Sequence, residues 1–374
     1  MANLGVRLIG PVYDVSGVSS NLRVFALALS ETGVQVQLVD IPNLTPFKVT
    51  LDNITKQRLE IMTNTKAGEN FVSIHMTWPD KMLFVDDQAK ANIVWTFTET
   101  SSLPHVCNLI LNNNNITEVW VPSEDQLGRF NSINKDKIKK VSFGVDSNRY
   151  QPGLEKMSDI REEGNFYFSF LGSLKLSSGF DKVLEAFYRE FSEDKNVKLI
   201  LKAFLGNVTP EKESEIVTNI LKNIKRDSSA EVIYVPGNIS VEEMRKLYHT
   251  GDCFVYPGRS KGWSTSIMKS MAAGIPVITT SAMRKTGFIS DSNAIMVKST
   301  DKKVDSIDWL LQNPLYNGSH WNEPDVDDLK KTMRSVYDKS IDTEKITIKA
   351  RQDALKSDWK RVAMNVLKEI KKYG

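Results

Sequence analysis

What most constrains this chain is a rhythm that runs almost from end to end. Short, nearly unbroken runs of β-branched and apolar residues alternate with stretches whose apolar positions fall at helical spacing. In the first half the runs are VRLIGPVY (6–13), VQVQLVDI (34–41), FVSIH (71–75), NIVWTFT (92–98), TEVWVPS (117–123) and KKVSFGV (139–145). Between the first two, NLRVFALALSETG places its apolar side chains on one helical face and stops at Gly33. Strands that are apolar throughout suit a parallel sheet covered on both faces, so the expected fold is α/β and Rossmann-like. The second half repeats the pattern, with strands expected at 166–173, 198–205, 231–237, 253–258, 276–280 and 294–299 and helices at about 180–192, 211–226, 241–250 and 265–273.

A chain of 374 residues exceeds one ordinary core. The polar segment DSNRYQPGLEKMSDIREEG (146–164), with Pro152, Gly153 and Gly164, separates the halves. The reading is therefore a Rossmann-like domain over 1–150 and a second over 165–345. No strand is expected after about residue 305. A helical segment, 346–374, has Leu355, Trp359, Val362, Val366 and Ile370 on one face. Two such domains on a short linker imply an interdomain cleft between the carboxyl edges of their sheets, where ligands bind.

Charge and composition exclude several classes. The 49 basic and 46 acidic side chains nearly cancel, which argues against a protein that coats nucleic acid. The lysine runs KDKIKK (135–140) and KEIKKY (368–373) keep a local nucleic-acid contact as a minor expectation. No run of about 18 apolar residues and no charged-then-apolar leader occurs, so no transmembrane segment and a cytoplasmic location are expected. Cys107 and Cys253 form no CxxC pair, and His75, His105, His249 and His320 lack ligand spacing. Reduced thiols, no metal and no cofactor are expected.

The chemistry concentrates in SKGWSTSIMKSMAAGIPVITT (260–280). Gly262 permits close backbone approach, and Ser264, Thr265 and Ser266 are candidate caps for the helix that follows. The N–H groups at such a helix start, and its positive dipole end, suit a phosphate. Arg259 and Lys175 are candidate assistants, and Trp263 is a candidate platform for a sugar. The plain alternatives are an ordinary cap, solvated lysines and a packed aromatic. In the first half, DVSGVSSNLR (14–23) offers Gly17 for a turn and Ser19 or Ser20 as a cap. His75 ends one strand and Glu99 follows another, each at the expected cleft edge. Trp78 and Trp95 read as sugar platforms or as core.

The run from Asp252 to Thr280 is similar, position by position, to the donor-site signature of glycosyltransferase family 4, which has the GT-B architecture and retaining nucleotide-sugar transferases. FLGSLKLSSGFDKVLEAF (170–187), VIYVPGNISVEEMRKLYHTGDCFV (232–255), the linker FGVDSNRYQP (143–152), WTFTETSSLP (95–104), EVWVPS (118–123) and the terminal ALKSDWKRVAMNVLKEI (354–370) extend the resemblance over most of the chain. The resemblance implies that residues 346–374 cross back onto the N-terminal domain.

The chain departs from the family at its charged positions. Where the family presents an Arg and a Lys to the donor diphosphate, this chain has Ser173 and Ser178; where it presents two glutamates, this chain has Lys261 and Lys269. A carboxylate accepts from sugar hydroxyls, whereas an ammonium only donates. The formal charge of the quartet moves from zero to +2. Two readings follow: cationic function has moved from the glycine loop to the helix, or the donor site has decayed.

The first reading is a retaining glycosyltransferase with a nucleotide-sugar donor and a saccharide or other hydroxyl acceptor. Lys261, His75 and Glu99 are its candidate catalytic groups. The donor is held by Gly17, Ser173, Lys175, Ser178, Arg259, Gly262, Trp263, Ser264, Thr265, Ser266 and Lys269. The second is an inactive binding or stabilising subunit of a partner glycosyltransferase. A third makes the acceptor a modified nucleic-acid base.

Overall fold

The computed structural model describes residues 4–41, 47–82, 84–205, 208–225, 228–259, 262–304, 316 and 318–374. In chain order the elements begin with β1 (Gly5–Gly10), α1 (Gly17–Ser30), β2 (Val36–Asp40), α2 (Asn53–Asn64), β3 (Phe71–His75), β4 (Asn92–Trp95), α3 (His105–Leu111), β5 (Glu118–Val121), α4 (Glu124–Arg129) and β6 (Ile138–Lys140). There follow β7 (Phe166–Ser173), α5 (Phe180–Glu190), β8 (Val197–Phe204), α6 (Pro210–Lys225), β9 (Glu231–Tyr234), α7 (Val241–Thr250), β10 (Cys253–Tyr256), α8 (Thr265–Ala272), β11 (Val277–Thr280) and β12 (Ile295–Val297). The chain continues with β13 (Ser299–Lys303), β14 (His320–Pro324), α9 (Val326–Tyr337), α10 (Thr343–Leu355) and α11 (Trp359–Ile370).

These elements form two compact units, one of Met1–Asp146 with Lys356–Gly374 and one of Ser147–Leu355. In the first, six parallel strands lie in the order β2-β1-β3-β4-β5-β6. Val94, Val119 and Val121 of the sheet pack with Leu111, Ile116, Phe130 and Ile133 in a water-free cluster. Elsewhere in the unit, Trp95 stacks on Phe143 at 4.9 Å and meets Phe25, Trp120 and Trp359 edge-on at 5.1, 5.6 and 6.0 Å. Trp359 opens α11, which lies against α1. The return of the chain is fastened by backbone bonds between Val145 and Ser357 at 2.9 Å and between Trp359 and Val145 at 3.1 Å. α10 belongs to the second unit and α11 to the first.

In the second unit the sheet order is β12-β11-β10-β7-β8-β9, again all parallel. Counted from β7 this is the 3-2-1-4-5-6 order of doubly wound folds, whose topological switch point lies between its first and fourth strands, β7 and β10. β8 is buried along nearly its whole length, as a central parallel strand must be. α7 starts with a full capping box, Ser240 accepting from the Glu243 N–H while the Glu243 carboxylate accepts from Ser240.

One expectation is overturned. A strand does follow residue 305: β14 pairs antiparallel with β13, from Ser299 opposite Pro324 to Lys303 opposite His320. Its sequence, HWNEP, has no apolar alternation; Trp321 and Pro324 are its buried residues, and the Asn322 N–H donates to the Arg259 carbonyl at 2.9 Å.

Candidate functional site

At the switch point of the second unit, the loop after β7 meets the loop after β10. Gly179 has φ +78°, and a Cβ there would lie 2.1 Å from the Pro257 carbonyl oxygen, so the two backbones touch. α5 begins at this contact. Its N-cap is Gly179 itself, with no side chain capping the first-turn N–H groups. α8 begins at the same edge and is capped by Ser264, whose hydroxyl accepts from the Ile267 N–H at 3.5 Å. Two helix starts thus lie at the sheet edge where doubly wound folds place anionic ligands.

The candidate donor residues of this unit fall into two groups. Ser173 ends β7 and Lys175 is exposed in the loop that follows. Gly262 and Ser264 are buried at the start of α8, and Thr265 and Ser266 are its first two residues. Trp263 is buried against Phe288 with ring centroids 4.6 Å apart, so it serves as packing rather than as an exposed sugar platform. Ser178 turns into its own loop, donating to the carbonyls of Ser173 at 2.6 Å and Lys175 at 2.7 Å. Lys261 lies outside the described residues.

Arg259 is the clearest correction. It is 1 % exposed and lies between two carboxylates, with Nη1 and Nη2 on Asp181 at 2.7 Å each and Nε and Nη2 on Glu323 at 2.6 and 2.8 Å. Burial opposes its charge, but hydrogen bonds and attraction from Asp181 and Glu323 outweigh burial and hold its pKa above the ordinary value. Its five donors face protein acceptors, including the Leu176 carbonyl at 2.5 Å. Arg259 therefore fixes the switch-point loop to α5 and β14 and is not placed to assist a donor phosphate.

Lys269 sits in the last turn of α8, where the helix dipole favours a cation. Its Nζ lies over the rings of Tyr150 and Tyr248, 5.3 and 5.7 Å from their centroids. The ammonium is thereby engaged in a tyrosine cage.

Two buried polar groups of this unit were not signalled by the sequence. The Ser177 hydroxyl, buried in the β7–α5 loop, has no hydrogen-bond partner among the described residues. Lys202, inside β8, is likewise buried. A serine in a serine pair and a lysine in an apolar strand carry no sequence mark, since burial and the choice of partner are decided in space.

The remaining candidates lie in the first unit. His75 is 1 % exposed, pairs in register with Ile9 and Val94, and places Nε2 3.5 Å from Asn92 Oδ1. Burial pushes its pKa below the ordinary value, with Asn92 and Asp86 opposing. The imidazole is thus enclosed within the sheet and bonded to Asn92, and burial favours its neutral form. Glu99 is half-buried in the loop after β4.

Gly17 is the first residue of α1 and a Cβ there would meet nothing within 4 Å, so no glycine is required by space. Ser16, not Ser19 or Ser20, caps α1; the Ser19 hydroxyl donates to the Pro11 carbonyl instead. The same loop is fixed by Arg23 on the carbonyls of Val12 and Asp14 at 2.7 and 2.8 Å and by Asp40 accepting from the Val12 N–H at 2.7 Å. Trp95 is core, and Trp78 packs edge-on to Phe97 at 6.1 Å. In the lysine runs, Lys139 and Lys372 bond Glu118, and Lys140 bonds Glu124.

Among the described residues, no helix is long and apolar enough to cross a membrane, and no cluster of three His, Cys, Asp or Glu side chains is placed to hold a metal ion.

Comparison with known proteins adds a partial family match and a fold. Residues 165–313 match the family model described as glycosyl transferases group 1. No curated protein sequence matches the chain. Among solved structures, sucrose-phosphate synthase from Thermosynechococcus elongatus is similar with a TM-score of 0.67 at 12% identity, covering 99% of this chain and 98% of that one. Anabaena HepE in complex with UDP has a TM-score of 0.65 at 13% identity over 99% and 100% of the two chains. A glycosyltransferase from Rickettsia africae has a TM-score of 0.64 at 12% identity over 99% of each. HepE has also been solved in complex with UDP-glucose. Two parallel-sheet α/β units that align end to end with these chains give this protein the GT-B fold.

Proposed function

We propose that this protein is a glycosyltransferase that moves a sugar from a nucleotide-sugar donor to a hydroxyl acceptor with retention of configuration. The observation that carries the reading is the Gly179–Pro257 contact, which brings the starts of α5 and α8 to the switch point. It lies within the segment that matches the glycosyl transferases group 1 model. The UDP and UDP-glucose complexes of Anabaena HepE support a nucleotide sugar as the donor class.

In such a transfer the bond between the anomeric carbon and the donor phosphate oxygen breaks. A bond to the acceptor oxygen forms, and the acceptor proton leaves with the diphosphate. The protein's task is to position both partners and to stabilise charge on the departing diphosphate. First-turn N–H groups of α5 and α8 supply that stabilisation together with Lys175, and Lys261 is assigned to the same anion.

Calorimetry with UDP-glucose and a panel of other nucleotide sugars, followed by an assay for release of the nucleoside diphosphate, tests this. Binding with release in the presence of saccharide acceptors is expected. A second reading, a donor-binding protein without turnover, is favoured by the engagement of Arg259 with carboxylates and Lys269 with tyrosines. It predicts binding heat and no release with any acceptor. Absence of binding to every nucleotide sugar would sink both.

A further inference from the structure

Three lysine or arginine side chains are buried among the described residues of the second unit: Lys198, Lys202 and Arg259. Lys198 faces Glu162 at 2.7 Å and Glu231 at 3.0 Å, and Arg259 faces Asp181 and Glu323. Lys202 is different. It is 5 % exposed, and among the described residues its Nζ meets one acceptor, the Gly237 carbonyl oxygen at 2.6 Å, and no carboxylate at ion-pair distance. The acid that acts on it through space, Glu213, has its oxygens engaged by the Leu205 N–H at 2.8 Å and the Tyr234 hydroxyl at 3.2 Å. Burial pushes the Lys202 pKa down, with Glu213 opposing.

An ammonium has three donors, and two remain beyond Gly237. Taking such a group out of water without a counter-charge is costly, and a methionine would fill the same space at no electrostatic cost. Its position gives the charge a use. Lys202 is opposite Leu171 in the β7–β8 register, two residues inside the carboxyl end of β7 and one strand away from the switch point. A nucleotide with its phosphates at the α5 start extends its sugar and base over the next strand of such a sheet. That strand is β8, and the loop bonded by Lys202 is the one following β9.

We propose that Lys202 reads the base of the bound nucleotide. Its ammonium donates to a carbonyl oxygen of the base, so uracil and guanine are accepted in preference to adenine, which has no carbonyl and presents an amino donor instead. This rests on the nucleotide-sugar reading above and deepens it.

The test is calorimetric titration of the full chain with UDP, GDP and ADP. Wild type binds UDP or GDP at least about tenfold more tightly than ADP, the scale of a hydrogen bond to a charged group. Lys202→Met, close to the same shape and checked for folding by its melting curve, brings that affinity to the ADP level and leaves ADP unchanged. Lys202→Gln, whose amide oxygen can accept from an amino group, raises ADP relative to UDP. Equal weakening of all three nucleotides would place the ammonium on the diphosphate or ribose and overturn the proposal, as would an unchanged preference in either variant. If wild type binds nucleotides without preference, only the base reading falls. If it binds none of them, the nucleotide-sugar reading falls with it.

Discussion

Gly179→Ala tests whether the backbone contact at the switch point shapes the candidate site. Alanine at φ +78° costs about 1–2 kcal/mol for the left-handed conformation alone. Its Cβ would also lie 2.1 Å from the Pro257 oxygen and 2.8 Å from the Pro257 carbonyl carbon, both backbone atoms that cannot swing aside. Relieving that overlap moves the loops apart, an overpacking cost of about 1–3 kcal/mol. Together they come to about 3 kcal/mol, which lowers the melting temperature of a unit this size by about 6–12 °C. Gly17→Ala is the matched control, because nothing lies within 4 Å of its added methyl. The assay is thermal unfolding of both variants alongside UDP titration at a temperature where each is folded. Gly179→Ala should melt early and, with the α5 start displaced, bind UDP at least about tenfold more weakly; Gly17→Ala should match wild type in melting. A Gly179→Ala protein that melts and binds like wild type would refute the contact and the anion site built on it.

Three further outcomes follow from charges already described. Burial would raise the Glu118 pKa, but hydrogen bonds from Lys372, Lys139 and Trp120 outweigh burial and lower it to about 2. The unfolded chain takes up that proton first as pH falls below about 4.5, so the stabilisation is complete above that pH and is lost as pH falls through about 2. Glu118→Gln should therefore lose about 2 kcal/mol at pH 7, after solvent screening, and the gap to wild type should close in denaturant melts near pH 2. Arg259→Ala takes the buried cation from Asp181 and leaves Glu323 with Lys182 at 3.5 Å, and should cost about 3–5 kcal/mol in denaturant unfolding; a loss under 1 kcal/mol would mean the network is loosely held. Lys269→Met removes the cation from its tyrosine cage and from the end of α8, costing about 1–2 kcal/mol in the same assay. A large fall in UDP affinity with no change in stability would instead put that ammonium on the ligand.

The strands were legible because parallel strands buried on both faces are written as apolar runs, and FYFSFLGS and FVSIH begin and end where β7 and β3 do. Other runs overshoot at their carboxyl ends. Residues 96–98 and 122–123 stay mostly buried after β4 and β5 have stopped, since the chain continues into the loops that line the sheet edge. Val145 looked like strand for a different reason: it pairs with Asp358, far along the chain. The same distance hid the role of Arg259. One residue past CFVYPG it reads as a cation at a ligand edge, and nothing local reveals carboxylates 78 positions before it and 64 after it. Lys269 is the complementary case, a cation whose aromatic neighbours come from the interdomain segment and from α7.

Those two placements change the electrostatic argument for the site. Counting side chains along the sequence gives a positive excess at the donor positions, but Arg259 is neutralised by two carboxylates and Lys269 sits among tyrosines toward the far end of α8. Among the described residues, what remains at the switch point is largely backbone: two helix starts, each equivalent to about half a positive charge, and the exposed Lys175 in the loop between β7 and α5. Helix starts need no side-chain conformational entropy to aim, and their N–H groups are already oriented when a phosphate arrives. They also fade within about one turn, so they can hold an anion only if the ligand comes close. The Gly179–Pro257 contact permits that closeness, because a side chain at position 179 would drive apart the two loops that form the edge. On this account the site's affinity for a diphosphate depends on backbone placement more than on the number of nearby lysines, and substituting the lysines changes it less than moving the loop.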